Sequence, residues 1–465
     1  MGVPQILSIS SLLDGGSALS GLLAFGLGLL FLLIYTVAVL SRPTIALLTF
    51  VFTLAFHDFF NLPVTQDGFK LSTAILLSAF FIILAGILIR KAPDLFTVLS
   101  RRVNILVLLF LLAMIISVVN SQNVEFAKID IQRFSYCVIL YFFVLFSLKE
   151  RSVLKRIALA LVCGGFIVSV LGVVEAKTGT VYGLFGNHSL LGADVPEATL
   201  FGPRDRINGV LGDADFHGMY MGVIFLFSLC LFFLYESKMV RLLLFGTMLL
   251  CLFNVIGAAS RGAALGSFVA FIIFWFFIPL PRKWLILTSV LGGIFIFACI
   301  TVVLFPNLDI ERFYEPKGQA KKTLELRENN LLIGLAMALD KPIIGHGPGG
   351  FTIEYHRYAS RTSPTAEKKT TRPLNVYIQV FAEYGIVGLS LFLGVLFSAL
   401  RSLFPLARST LGEFNILSAA VLAALCGYSV FMMFTGLIND QNFWLLIALA
   451  VAIGTIHSFR AEERG

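Results

Sequence analysis

Charge is scarce in this 465-residue chain. Asp, Glu, Lys and Arg together make up 13% of it, about half the roughly 25% of an ordinary soluble domain. With 58% hydrophobic residues and a mean hydropathy of +0.91, both a soluble enzyme and a disordered chain are excluded. No stretch of soluble-like composition is long enough for a second domain, so residues 1–465 read as a single transmembrane helical domain. The opening, MGVPQILSISSLLDGGSALS, has no Lys or Arg. It lacks the basic start and the A-x-A-like site of a cleavable signal peptide, so the first apolar run is expected to stay as a span. The six cysteines (Cys137, Cys163, Cys230, Cys251, Cys299 and Cys426) all fall in apolar runs. That excludes a disulfide framework in the polar loops, their spacing suggests no metal, and small apolar packing accounts for them. No obvious repeat relates the two halves, which counts mildly against a transporter built from inverted repeats.

Long apolar runs are what the chain does have. At about 20 residues per spanning helix, thirteen spans are expected, near 19–40, 44–60, 71–89, 103–119, 133–147, 155–175, 216–235, 240–258, 262–279, 284–305, 376–400, 414–435 and 440–458. The second is short and ends in His57, Asp58 and Asn61, and a re-entrant reading of it gives twelve. The expected fold is an all-α polytopic integral membrane protein of about 12–13 transmembrane helices. Orientation follows from the basic residues. One set of connections carries Arg42; Arg90, Lys91, Arg101 and Arg102; Lys149, Arg151, Lys155 and Arg156; Lys238 and Arg241; Arg282 and Lys283; Arg401 and Arg408; and, in the tail, Arg460 and Arg464. The short connections on the other side carry only Lys70, Lys128, Arg133 and Arg261. The first set is expected to be cytoplasmic, as is the C-terminus, and two long polar loops, 176–215 and 306–375, then emerge on the outer side. The second is rich in Lys and Arg. Long loops are exempt from the charge rule, and an anionic ligand is the simplest use for cations held there.

Several polar constellations cluster in or beside these loops. In FGPRDRINGVLGDADFHGMYMG, residues 201–222, Arg204 and Arg206 flank Asp205, with Asp213, Asp215 and His217 following at a span entrance. Guanidinium suits phosphate because its planar donors bind bidentately and keep their charge; a solvated loop with local Arg–Asp pairing is the plainer reading. GAASRGAALG, 257–266, sets Arg261 among small residues between two spans, either as a functional boundary arginine or as a snorkelling anchor. In KKTLELRENNLLIGLAMALDKPIIGHGPGGF, 321–351, Leu324, Leu331, Leu332, Leu335, Ala338 and Leu339 fit one face of an amphipathic helix at the outer interface, with Arg327 near its start. The GHGPGGF that follows could turn backbone N–H groups toward an anion, although tight-turn chemistry explains most such loops. In RPLNVYIQVFAEYGIVGL, 372–389, Asn375, Gln379 and Glu383 share one face of the next span, facing a cavity or a partner helix. GLINDQNFW, 436–444, is a short outer loop compatible with simple turn chemistry.

The order of these motifs, SRGA at 260–263, DKPIIGHGPGGF at 340–351 and LNVYIQVFAEYGIVGL at 374–389, resembles the O-antigen ligase and polymerase superfamily across roughly residues 200–400. The resemblance implies a GT-C-like bundle in the bacterial inner membrane with its two long loops, and its active site, facing the periplasm. It implies a glycosyltransferase that takes a glycan from undecaprenyl diphosphate and passes it to a glycan or lipid-linked acceptor, without metal, nucleotide sugar or other cofactor. The setting is lipopolysaccharide or exopolysaccharide assembly, with other assembly proteins of the membrane as further partners and no nucleic acid. Diphosphate departure needs positive charge where negative charge develops. Arg204, Arg206, Arg261, Arg327 and Arg372 are the candidates for the diphosphate, and Asn375 and Tyr377 for the glycan. Where the family usually has His-Asn, this chain has Leu374-Asn375, and leucine can neither take a proton nor orient a hydroxyl. His346, His356 and Glu383 are therefore the candidate bases. The departure from the ligase pattern tilts the expectation toward an O-antigen or exopolysaccharide polymerase. A flippase or exporter of lipid-linked glycans, or a non-catalytic assembly component, would use the same lipid without a base, but the polar residues gather on the outer face only.

Overall fold

In the computed structural model, residues 43–56, 61–62, 69–70, 76–82, 84, 101–178, 206–278, 292–294, 296–297, 300–301, 319–362, 373–408 and 412–462 are described. They form α1 (Pro43–Leu54), a two-residue antiparallel ladder of β1 (Asn61–Leu62) with β2 (Phe69–Lys70), and then α2 (Arg102–Ser117), α3 (Val124–Ser147) and α4 (Arg151–Thr178). These are followed by α5 (Ala214–Leu234), α6 (Lys238–Gly257), α7 (Arg261–Phe277), α8 (Gln319–Asp340), α9 (Gly350–Thr362), α10 (Val376–Arg408), α11 (Glu413–Phe431) and α12 (Gln441–Glu462). Among the described residues, seven helices are long and apolar enough to cross a membrane, and α1, α7 and the apolar part of α12 are shorter apolar helices. The chain is an all-α multi-pass membrane protein.

The expected spans and these helices agree in place and differ in extent. The second expected span, 44–60, is described only as far as residue 56, and α1 is there a twelve-residue apolar helix. α3 starts at Val124 rather than near 133, because Asn123 caps it by accepting the Phe126 amide at 3.0 Å. The expected span at 19–40 lies outside the described residues, and those at 71–89 and 284–305 are described only in part.

α12 sits at the centre. Phe443 through Ile453 are all buried, so it is apolar on every side. α3, α10 and α11 pack on it; α7 lies along α11, α5 against α6 and α7, and α2 along α10. α2 and α6 turn Leu108, Leu112, Ile116, Leu242, Leu243 and Phe245 away from the bundle, the pattern of helices that face lipid. Polar capping residues open α3, α5, α7, α10 and α12 at one end of the bundle, where Asn123, Asp213, Ser260, Asn375 and Asp440 each accept an amide of the first turn. The opposite end carries basic residues, among them Arg101 donating to Thr455 and Lys155 paired with Glu413.

α8 and α9 form a small separate core at the capped end, built from Ile333, Met337, Ala338, Phe351, Tyr355, Tyr358 and Ala382 of α10. The face of α8 turned inward is thus Asn330, Ile333, Met337 and Ala338, whereas Leu331, Leu332, Leu335 and Leu339 point outward, 41–67% exposed. Ala338 leaves the expected leucine face and joins the core. The leucine stripe itself has no partner among the described residues.

α10 is broken. Gly385 has φ 66° and ψ −167°, which interrupts the helix inside its apolar stretch. Interrupted helices at membrane depth are tolerated where other protein satisfies the freed backbone. Here the 342–347 loop does so. His346 N donates to Ala382 O at 3.0 Å, Gly347 N to Glu383 O at 2.9 Å and Ile386 N to Pro342 O at 2.8 Å, while the Ser117 hydroxyl adds a bond to Glu383 O at 2.7 Å. The contact is backbone against backbone. A Cβ on Gly385 would lie 2.2 Å from Ile343 O, and one on Gly345 2.3 Å from the Glu383 carbonyl carbon.

Candidate functional site

The segment before α5 is stitched down from several sides. Ile207 N donates to Gly257 O at 2.9 Å. The buried Glu175 carboxylate of α4 accepts the amides of Asn208 at 3.1 Å and Gly209 at 2.8 Å. Beneath it, His217 Nε2 meets Asn254 Oδ1 at 2.9 Å, and the Asn254 amide donates to Ser169 O and Leu250 O. Asn254 Oδ1 can only accept, so His217 carries its proton on Nε2. Gly209, with φ +60°, lies so close over the imidazole that a Cβ there would sit 2.1 Å from Nδ1. Sequence reading overlooked Glu175 and Asn254, single polar residues inside apolar runs. Their only signal was that cost itself, since a buried polar group in a span needs a partner.

This stitching fixes Arg206. Its Nε donates to Ala258 O at 2.8 Å and its Nη2 to Asp215 Oδ1 at 2.7 Å. Ala258 belongs to the turn between α6 and α7, where Ala259 adopts φ 47°, a left-handed conformation that costs a residue with a Cβ. The next residues, Ser260 and Arg261, open α7. Ser260 also hydrogen-bonds Asp215. Arg327 of α8 reaches the same place: it is coupled to Asp215, Arg261 and Arg206, and its guanidinium lies 5.8 Å from the centre of the Phe434 ring. Burial, with the like charges of Arg261 and Arg206 added, holds its pKa below the usual arginine value against the pull of Asp215. Its Nε is buried with no hydrogen-bond partner among the described residues.

Arg206 and Arg327 therefore share one carboxylate, with Arg261 as a third positive charge beside Arg327, at the N-termini of α5 and α7, whose helix dipoles add positive potential. Phe434 packs over Gly262, leaving no room for a side chain there. The arrangement is a cation-rich, partly desolvated pocket suited to a phosphate or diphosphate. Of the five arginines expected to bind diphosphate, Arg206, Arg261 and Arg327 come together, while Arg204 and Arg372 lie outside the described residues.

The other expected site residues sit elsewhere. Asn375 caps α10, accepting the Ile378 amide at 3.1 Å, and donates to Met433 O at 3.1 Å. The Tyr377 hydroxyl donates to Ser429 O at 2.8 Å. Both bind α10 to the segment leading to Phe434. His346 is fully buried at the far end of α8, its Nε2 on Met337 O at 3.0 Å and its Nδ1 on Glu354 Oε1 at 2.8 Å. The Met337 carbonyl can only accept, so Nε2 is the donor to it. No ring nitrogen is open to a substrate. Met337 lies ten residues along α8 from Arg327, about 15 Å at 1.5 Å per residue. Glu383 is 1% exposed and accepts from Phe351 N at 3.3 Å and Gln379 Nε2 at 3.2 Å. His356 is on the exposed side of α9 with its ring against Tyr355. Nearby, the Tyr358 hydroxyl donates to Asp340 and keeps that carboxyl below its ordinary pKa.

The glycine-rich loop is not an anion nest. The amides of Gly345, His346, Gly347, Gly350 and Phe351 all donate to protein oxygens, mostly on α10. Among the described residues, no group of three or more His, Cys, Asp or Glu has the geometry to hold a metal.

No curated protein matches the chain. Residues 246–393 match a family model described as O-antigen ligase. The matched stretch runs from α6 to the first half of α10 and carries Arg261, Arg327, the glycine loop and the helix break it supports, and over these residues this multi-pass membrane protein is similar to the O-antigen ligase family.

Proposed function

We propose that the chain transfers a glycan from a polyprenyl diphosphate carrier to a hydroxyl of a second, lipid-linked glycan at the periplasmic face of the bacterial inner membrane, as a polymerase of O-antigen or exopolysaccharide. The observation that carries this reading is the grouping of Arg206, Arg261 and Arg327 around Asp215, Arg206 and Arg327 acting on the carboxylate and Arg261 beside Arg327, with the Arg327 Nε buried and without a hydrogen-bond partner among the described residues. In such a transfer the anomeric C–O bond breaks, its electron pair stays on the diphosphate, and the acceptor oxygen bonds to the anomeric carbon as its proton is released. Negative charge grows on the leaving oxygen, and guanidiniums fixed beforehand stabilise it without reorganising. Arg206 is held by Ala258 O and by the clamp on residues 207–209, so its position does not depend on the ligand. The outward leucines of α8 suit an interface helix that brings Arg327 to the level of a lipid headgroup. Leu374, in place of the family's usual histidine, favours a lipid-linked glycan as acceptor over a lipid A core.

The test uses the purified full chain with a polyprenyl diphosphate glycan. Release of polyprenyl diphosphate together with a longer glycan supports the polymerase. Attachment only to an added lipid A core acceptor would make it a ligase, and movement of intact donor across vesicles without release would exclude transfer.

A further inference from the structure

We propose that Asp215 is the internal counter-ion of the arginine site: it competes with the diphosphate for Arg206 and loosens the site enough for the product to leave. The inference rests on the diphosphate reading above and assigns Asp215 a task within it.

Two plainer roles for Asp215 are already filled by others. The cap of α5 is Asp213, whose Oδ1 accepts the amides of Asp215 at 2.8 Å and Phe216 at 3.3 Å. Arg206 is anchored through Nε to Ala258 O, and its neighbours by Gly257 O and Glu175, so it stays in place without its ion pair. The pair is also not sealed. The Asp215 side chain is 31% exposed and that of Arg206 14%, so a carboxylate at this position can be displaced from the pocket side. A phosphate oxygen and a carboxylate oxygen bind guanidinium in the same geometry. A diphosphate entering beside Arg261 and Arg327 therefore meets Asp215 as a rival for the Nη2 of Arg206.

The charge balance gives the rivalry a purpose. Three cations facing a diphosphate at partial burial would hold the product as firmly as the donor, and product release limits turnover in many enzymes. One fixed negative charge lowers the affinity for both diphosphate ligands and restores exchange.

The experiment measures inorganic pyrophosphate binding to the full chain in detergent, together with steady-state transfer. Asp215→Asn is expected to bind pyrophosphate about tenfold more tightly, and to lower kcat and donor KM together, while Asp215→Glu, which keeps the charge, does not show the tenfold tightening. Should Asp215→Asn not fold, Asp215→Ser removes the same charge. Equal or weaker pyrophosphate binding in the folded neutral variant overturns the inference and makes Asp215 a positioning residue for Arg206. If the wild type binds pyrophosphate no better than an Arg206→Ala, Arg327→Ala double variant, the diphosphate reading fails and takes the inference with it.

Discussion

At the scale of single residues, the arginines and His346 make opposite predictions. Arg327 is half-buried with one unsatisfied donor and two like charges close by. It is a costly residue for the fold, so Arg327→Ala is expected to leave stability unchanged or slightly raised while transfer falls by about a hundredfold or more, as for loss of a preorganised donor to a developing anion. Thermal unfolding and turnover, measured on the same preparation, check both halves. Arg327→Lys recovers only part of the rate, since an ammonium cannot bind bidentately. His346 is the reverse case. Both its ring nitrogens are spent on Glu354 and Met337 O inside the protein. His346→Ala leaves Glu354 buried with only Arg357 for a partner and should cost roughly 3 kcal/mol of stability. Transfer per folded molecule should keep the wild-type rate and pH profile. A hundredfold loss in folded protein would instead give His346 a part in the chemistry.

At the scale of elements, the break in α10 is the feature on which the glycine loop depends. Gly385 and Gly345 both have positive φ, and each faces the other strand's backbone at a distance that admits no Cβ. Gly385→Ala combines a strained backbone, about 1–3 kcal/mol by itself, with an overlap that separates α10 from the 342–347 loop. The expected outcome is a large loss of monodisperse protein on size-exclusion, whereas Gly246→Ala, in open space on α6, is expected to be neutral. This break was not legible in the sequence. AEYGIVGL reads as one more apolar stretch, because a lone glycine is tolerated in a helix, and the loop that satisfies it lies about 40 residues earlier. The span centres were legible because burying a backbone in lipid requires long apolar runs. Arg261 was legible because a charge among small residues at a span end is expensive. That Arg206 and Arg327 would join it was readable only as a shared preference for anions; the clamp that aims Arg206 joins α4, α5 and α6 through Glu175, His217 and Asn254, and nothing local in the chain announces those pairings.

At the scale of the whole molecule, the assignment of a side to each end of the bundle decides which substrates the arginines can meet. Capped N-termini of α3, α5, α7, α10 and α12 gather at one end, and the basic connections at the other. By the positive-inside rule the basic end is expected in the cytoplasm, and the helix dipoles would then present positive potential to the opposite side, where the proposed lipid-linked donor would be met. The orientation is testable without any activity. Glu125 is an exposed residue at the capped end, and its bond to Lys128 is a surface pair of little energetic weight; Glu236 is exposed at the basic end, between α5 and α6. Glu125→Cys should react with a membrane-impermeant maleimide in intact spheroplasts, and Glu236→Cys only after the membrane is opened. The described thiols add little background: Cys137, Cys230 and Cys251 are buried, and the exposed Cys163 and half-buried Cys426 lie mid-helix on the spans α4 and α11, where a maleimide that cannot enter the bilayer does not reach them. The reversed labelling pattern would turn the arginine site toward the cytoplasm and remove periplasmic glycan transfer as its function, whatever the arginines bind.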